Sequence, residues 1–197
     1  MGRELLIALR VSFVTLILTG LLYPLAVTGA ARVLFPAAAA GSWVVDNHGN
    51  VIGSELIGQG FARASYFQPR PSAAGDQGYD ASASSGSNLG PTSKKLRDRA
   101  TGAAARLHRE NPEAPAAIPA ELLTASASGL DPHLSPEAAL WQVPRVAAAR
   151  RIAADRVRDL VASQIEGRDV GILGEPRINV LLLNLALDRQ FGGTGQP

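Results

Sequence analysis

The sequence predicts an α+β protein, with one transmembrane helix at residues 11–35 and a single mixed α/β domain at 42–191. Three observations carry this. Val11 to Ala31 runs for 21 residues without a charge. Trp43-Val44-Val45 and Val51-Ile52 flank a turn-forming Asp46-Asn47-His48-Gly49-Asn50. Helix-capping signals recur further on, at Thr92-Ser93, Ser135-Pro136-Glu137 and Asn179.

At 1.5 Å rise per residue the uncharged segment spans about 31 Å, matching the roughly 30 Å hydrocarbon core of a bilayer. The competing reading is a cleaved signal peptide, with a small-residue site at Ala37–Ala40. Such peptides carry apolar regions of only about 7–15 residues, so length favours a retained span. Pro24 interrupts the run, which membrane helices tolerate where neighbouring groups satisfy the freed carbonyl. Arg3 and Arg10 precede the segment and Arg32 follows it. The excess of positive charge on the N-terminal side places residues 1–10 in the cytoplasm and the domain outside. Residues 36–41 then read as a linker in a single-pass protein of the plasma (inner) membrane.

Asn and Gly in the turn favour a hairpin over Trp43–Ile52. A short strand or turn through Phe61–Phe67 follows, and Gln68 to Pro91, rich in Ser, Gly, Ala and Pro, reads as a long loop. Thr92 or Ser93 caps a helix to about Arg109, stopped by Asn111-Pro112. Glu113 to Pro119 is a solvated connector. Ser135-Pro136-Glu137 opens a short helix expected to break or kink at Pro144, which then starts a second helix through Gln164 with Gly167 as its stop. Val146, Ile152, Val157, Leu160 and Val161 form its inward stripe. Asn179 caps a last helix, Val180 to Gln190, although its apolar run also suits a buried strand. Residues 192–197 read as a flexible tail.

The chain holds 19 Lys and Arg against 17 Asp and Glu. Without Arg3, Arg10, Arg32 and Glu4 the remainder carries 16 of each sign. A neutral domain lacks the basic footprint by which proteins hold nucleic acids. Zero cysteines exclude disulfides, thiol catalysis and the thiolate-held zinc and iron–sulfur sites.

Motifs for chemistry are scarce. No G-x-x-x-x-G-K-[ST] loop occurs, since Thr92-Ser93-Lys94 reverses the required order. Gly58-Gln59-Gly60 lacks the third glycine of a dinucleotide site. Ser84-Ser85-Gly86-Ser87 sits in no nucleophile elbow and reads first as a self-bonded loop. His48, His108 and His133 share no metal-binding spacing; Asp131-Pro132-His133 reads as a turn or cap. No catalytic residue and no metal ligand is assigned.

Four stretches are more particular: "SELIGQGF", "YFQPRPSAAGDQGYDASASSGSNLGPTSKKL", "TASASGLDPHLSPEAALWQVPRVAAAR" and "GEPRINVLLLNLALD". With the span at the same place, they make the chain resemble, over essentially its whole length, the C subunit of the bacterial high-affinity potassium-transporting P-type ATPase, the Kdp complex. Departures are confined to Ala-rich segments around Ala103 and Ala116 and to the tail.

The resemblance implies an accessory subunit beside a channel-like potassium-translocating subunit, a P-type ATP-hydrolysing subunit and a small single-span subunit. The assembled complex uses ATP, Mg and potassium, with no cofactor in this chain. The sequence agrees by lacking the phosphorylated D-K-T-G string and the several membrane loops of a potassium filter. Its role is then to assemble or stabilise the complex and support potassium import. The alternative is a subunit that binds ATP directly and raises the pump's ATP affinity, with Gln142 as the nucleotide candidate; an external domain argues against it. A remoter rival is a signal-anchored extracytoplasmic serine hydrolase using the Ser-rich loop with Asp131 and His133.

Expected partner contacts lie where these motifs meet loops. Tyr66, Phe67, Arg70, Pro71 and Ser72 combine aromatic anchors with an arginine, the mixture enriched at interface hot spots; their plainer role is tying the loop to the core. Ser84, Ser85, Ser87 and Asn88 offer compact hydrogen-bonding groups. Arg145, beside Pro144, either faces a partner or satisfies broken helix ends. Within the span, Gly20 and Ala26 allow close approach of another helix.

Overall fold

The computed structural model describes residues 2–46 and 49–193. The chain divides into two compact units between Ile52 and Gly53.

In the first unit α1 (Gly2–Ile17), a π-helical turn (Leu18–Leu22) and α2 (Tyr23–Leu34) form one 33-residue helix. It begins nine residues earlier than the uncharged run suggested, because Leu5, Leu6, Ile7 and Leu9 continue the helical pattern beyond Arg10. The π turn has a cause in Pro24. Pro24 has no N–H to give Gly20, four residues back, and its ring crowds that turn. The turn before it widens, and the Tyr23 N–H reaches back five residues to the Leu18 carbonyl. The helix ends at Phe35, which leaves helical angles (φ −136°, ψ 60°) ahead of Pro36, as a residue before proline tends to. The Ala37–Ala40 stretch is mostly a short exposed helix, α3 (Pro36–Ala39). Strands β1 (Trp43–Val45) and β2 (Val51–Ser54) pair as expected. The turn centre, Asn47 and His48, falls outside the described residues, as do 194–197 of the expected tail.

The second unit starts with bends through Phe61–Phe67 and the long loop, relieved only by a 3-10 turn at Ala81–Ala83. Ser93 caps α4 (Lys94–Glu110), accepting from the Leu96 N–H at 3.4 Å. The helix stops before Asn111-Pro112. Its exposed face carries the i,i+4 pairs Lys94–Asp98 and Arg106–Glu110, and Leu107 is its one buried residue.

Strand β3 (His133–Leu134) pairs antiparallel with β4 (Ile178–Asn179), in register His133 with Asn179 and Leu134 with Ile178. Ser135 caps α5 (Pro136–Arg150), accepting from the Ala138 N–H at 3.2 Å. The expected break at Pro144 does not occur, and α5 runs unbroken through it. Ala138, Ala139, Trp141, Gln142, Val143, Arg145, Val146 and Ala147 are all buried, so packing on several sides holds the helix across one lost bond. The chain breaks instead at Arg151, in the left-handed region (φ 57°, ψ 43°). Arg151 N–H donates to Ala148 and Ile152 N–H to Ala147, the paired bonds of a Schellman cap.

Helices α6 (Ala154–Ser163) and α7 (Val180–Phe191) complete the core. Val143, Val146, Val157, Val161, Ile178, Leu183 and Leu187 are fully buried between α5, α6 and α7. Of the predicted stripe, Ile152 alone is only half-buried, because it follows the helix break. Asn179 caps α7 through the Leu182 N–H at 3.2 Å, which settles the helix over the strand. Between α6 and β4 the chain makes an excursion that sequence patterning missed. Antiparallel bridges at Glu166–Arg177 and Asp169–Leu173 zip residues 165–177 into an exposed tongue.

Candidate functional site

Apart from the turn at Ala81–Ala83 the long loop has no regular element to satisfy its backbone, so side chains do much of it. Phe67 and Gln68 run between α5 and α7. Asn184 of α7 accepts from the Phe67 N–H (2.8 Å) and donates to its carbonyl (3.0 Å). Gln142 of α5 does the same for Gln68, at 2.8 and 2.9 Å. An extended chain points successive peptide groups to opposite sides. Two amides on two helices therefore stand in for two neighbouring strands.

These bonds determine what the predicted residues can do. Tyr66 and Phe67 are 1% and 0% exposed, so the expected aromatic anchors face the protein's own interior. Tyr66 donates to Asp188 at 2.8 Å, and Arg150, paired with Asp188 at 2.6 Å, lies over the Tyr66 ring. The Gln142 amide is fully committed: beyond Gln68 it accepts from Arg145 (2.8 Å) and donates weakly to Ala138 (3.4 Å). Arg145 bonds the Ala64 carbonyl at 2.7 Å instead of facing outward, and burial lowers its pKa to about 10. Beside Gln142 lies a depression of about 310 Å³, also lined by Phe61, Tyr79, Arg106 and Glu110. Its polar groups are taken too: Arg106 pairs with Glu110, and the Tyr79 hydroxyl donates to the Arg70 carbonyl at 2.5 Å.

Ser72 organises the rest of the loop. Its hydroxyl donates to the Gly129 carbonyl (2.6 Å) and accepts from the N–H groups of Ala74 and Tyr79. Ser84 and Ser85 donate to the carbonyls of Ser128 and Ala73. Both hydroxyls are directed at these carbonyls rather than at the His133 imidazole. Gly129 shows how tightly the loop meets residues 124–131: it has φ 72°, and a Cβ there would stand 2.6 Å from the Ser85 carbonyl. Ser87 is half-buried and Asn88 exposed with φ 50°, on the far arm of the loop. Among the described residues no cluster of three or more His, Asp or Glu is placed to hold a metal.

Arg70 is half-buried, with its side chain 26% exposed. It pairs with Asp131 at 3.1 Å on the wall of an open depression of about 530 Å³ that also includes Ser84, Ser126, Ser128, Leu56 and Ile57. Pro71 and Ser72 lie half-buried just behind it. Leu56, 64% exposed, and Ile57 were not singled out from the sequence. The only signal for them is an apolar pair between turn-forming residues inside "SELIGQGF". Gly20 and Ala26 sit on the exposed surface of the long helix.

The fold defines a class: a small α+β domain that follows a single helix of membrane-crossing length. The family model described as K+-transporting ATPase, c chain matches residues 5–189. A potassium-transporting ATPase KdpC subunit of Myxococcus xanthus is 67% identical over 98% of this chain and 90% of its own length. Namesakes in Methylobacterium nodulans (54% identical, 89% of this chain, 92% of the relative) and Nitratidesulfovibrio vulgaris (54%, 93% and 94%) are also similar. The chain belongs to the KdpC family and is a subunit of a potassium-transporting ATPase, which implies partner subunits in that complex.

Proposed function

We propose that the chain is a non-catalytic brace, which assembles and stabilises the channel-like and ATP-hydrolysing subunits of the complex and so supports potassium import. The helix Gly2–Leu34 crosses the plasma membrane with its N-terminus inside, and the head acts outside, where cytoplasmic ATP does not reach. ATP, Mg and potassium are then handled by the partners, and a small single-span subunit completes the assembly. One observation supports this reading: every bonding position of the Gln142 amide is taken within the head, while the half-buried Arg70–Asp131 pair keeps an accessible edge beside Leu56 and Ile57. A subunit so built alters pumping through contacts whose strength differs between states of its partners.

The test has three parts. A cytoplasm-dependent reporter fused after Pro197 should be silent; strong activity would overturn the topology. Calorimetry of the full chain in detergent should show no saturable ATP binding, and saturable binding would replace the brace with a nucleotide-binding subunit. Arg70→Ala should lower the potassium-stimulated ATPase activity of the purified complex while the full chain keeps its melting temperature. Unchanged activity would remove the Arg70 surface from the proposal.

A further inference from the structure

The tongue at 165–177 spends exposed apolar area with no return inside the head. Val170, Ile172 and Leu173 are 85%, 76% and 60% exposed, and Ile165 is 40% exposed at the base. Val170 also holds φ 47°, a conformation a β-branched residue avoids. Its charges are spent on one another. Arg168 pairs with Glu175 at 2.7 Å, and Arg177 with Glu166 at 3.1 Å and Asp169 at 3.4 Å. Asp169 and Glu166 raise the Arg177 pKa further, so its charge is fixed.

We propose that this tongue is a docking element for another subunit of the same ATPase, inserting Val170, Ile172 and Leu173 into an apolar recess. The inference rests on the chain being one subunit of that complex. The charge pattern selects a protein occupant over a lipid surface. Lipid-binding loops offer free Lys or Arg to headgroup phosphates and Trp or Tyr to the interface. Here both arginines are held by tongue carboxylates, residues 165–177 contain no aromatic side chain, and three acids against two bases leave a net charge of −1. An apolar centre inside a rim of mutually neutralised charges has the anatomy of a protein interface. Its complement is a recess with a neutral to weakly basic rim. The self-paired rim and the two bridges also hold the tongue in shape before binding, which limits the ordering cost on association.

The experiment uses the complex purified through a tag on another subunit. Ile172→Ser with Leu173→Ser, and separately Val170→Gly, are compared with the natural chain. Because these side chains are exposed, the variants should keep the melting temperature of the full chain. Retention of the double variant in the complex should fall at least tenfold, about what one buried aliphatic side chain contributes. Val170→Gly, which relieves the backbone strain while removing one apolar group, should fall less, severalfold.

Wild-type retention of both variants would overturn the docking element. So would retention that falls only in parallel with lost binding to anionic vesicles, or with lost self-association of the chain, since those place lipid or a second copy on the tongue. Omitting the whole subunit is the separate control. If the other subunits assemble and pump normally without it, the brace fails; if only the tongue variants behave as wild type, the brace stands and the tongue is excluded.

Discussion

Asn184→Ala isolates the device that holds the loop to the helices. Asn184 is 2% exposed, and Phe67, which it clamps, is fully buried. Truncation leaves the Phe67 N–H and carbonyl without partners in a site closed to water. Each unpaired buried group costs about 1–3 kcal/mol, so the variant should lose about 2–6 kcal/mol. That is a large share of the roughly 5–15 kcal/mol that holds a domain folded. Urea unfolding of the full chain in detergent, followed by the buried Trp141, reads the loss directly, because the apolar helix stays in the micelle. Asn184→Leu separates the cause. It refills the volume but restores no hydrogen bond, so it should be nearly as destabilised. A loss below about 1 kcal/mol in Asn184→Ala, with the Phe67 amide still protected from exchange, would refute the assignment of the clamp.

Arg151→Gly should stabilise the head by about 0.5–1 kcal/mol, since glycine adopts the left-handed cap without the steric cost an arginine meets there; an unchanged or lower urea midpoint would contradict this. Burial raises the Tyr79 pKa to about 12. Below the ordinary value of 10 both states hold the proton. As pH rises from 10 towards 12 the unfolded chain ionises first, so the wild type should lose stability relative to Tyr79→Phe, by about 1–2 kcal/mol after solvent screening; parallel curves for the two proteins would refute it. A Cβ at Gly20 meets only Leu16 of its own helix, at 3.6 Å, so Gly20→Leu fits the isolated helix. Co-purification with partner subunits should nevertheless fall for Gly20→Leu and for Ala26→Leu; full retention of both would make the helix a simple anchor.

Local signals carried the parts of this fold that local physics decides. Ser93, Ser135 and Asn179 cap helices where their side chains were expected to, because an N-cap needs only its own residue and the N–H three positions on. The hairpin strands and the long loop follow from composition in the same way. Pro144 misled because its cost of about 3 kcal/mol is local, while the burial that outweighs it on several sides of α5 comes from distant residues. Tyr66 and Phe67 look like surface anchors in a polar loop. Their burial depends on Asn184 and Gln142, 117 and 74 positions away from the residues they clamp. The tongue was hidden for a different reason: two isolated bridges leave no alternating pattern to read.

The same long-range clamps bear on the proposed brace. A loop of this composition, free in solution, would lose conformational entropy whenever a partner ordered it, and that loss would be subtracted from every contact. Here Asn184, Gln142 and Ser72 order it during folding, and the interlocking of Ser84, Ser85 and Gly129 fixes its far arm. Arg70 is held by Asp131, and Asp131 in turn accepts from the His133 N–H at 3.0 Å, on the strand leading into α5. The Arg70 surface is therefore coupled to the core rather than to a mobile loop. A preordered surface of this kind would fit one arrangement of a partner better than another. On the proposed role, that difference is the means by which the brace would bias a transport cycle.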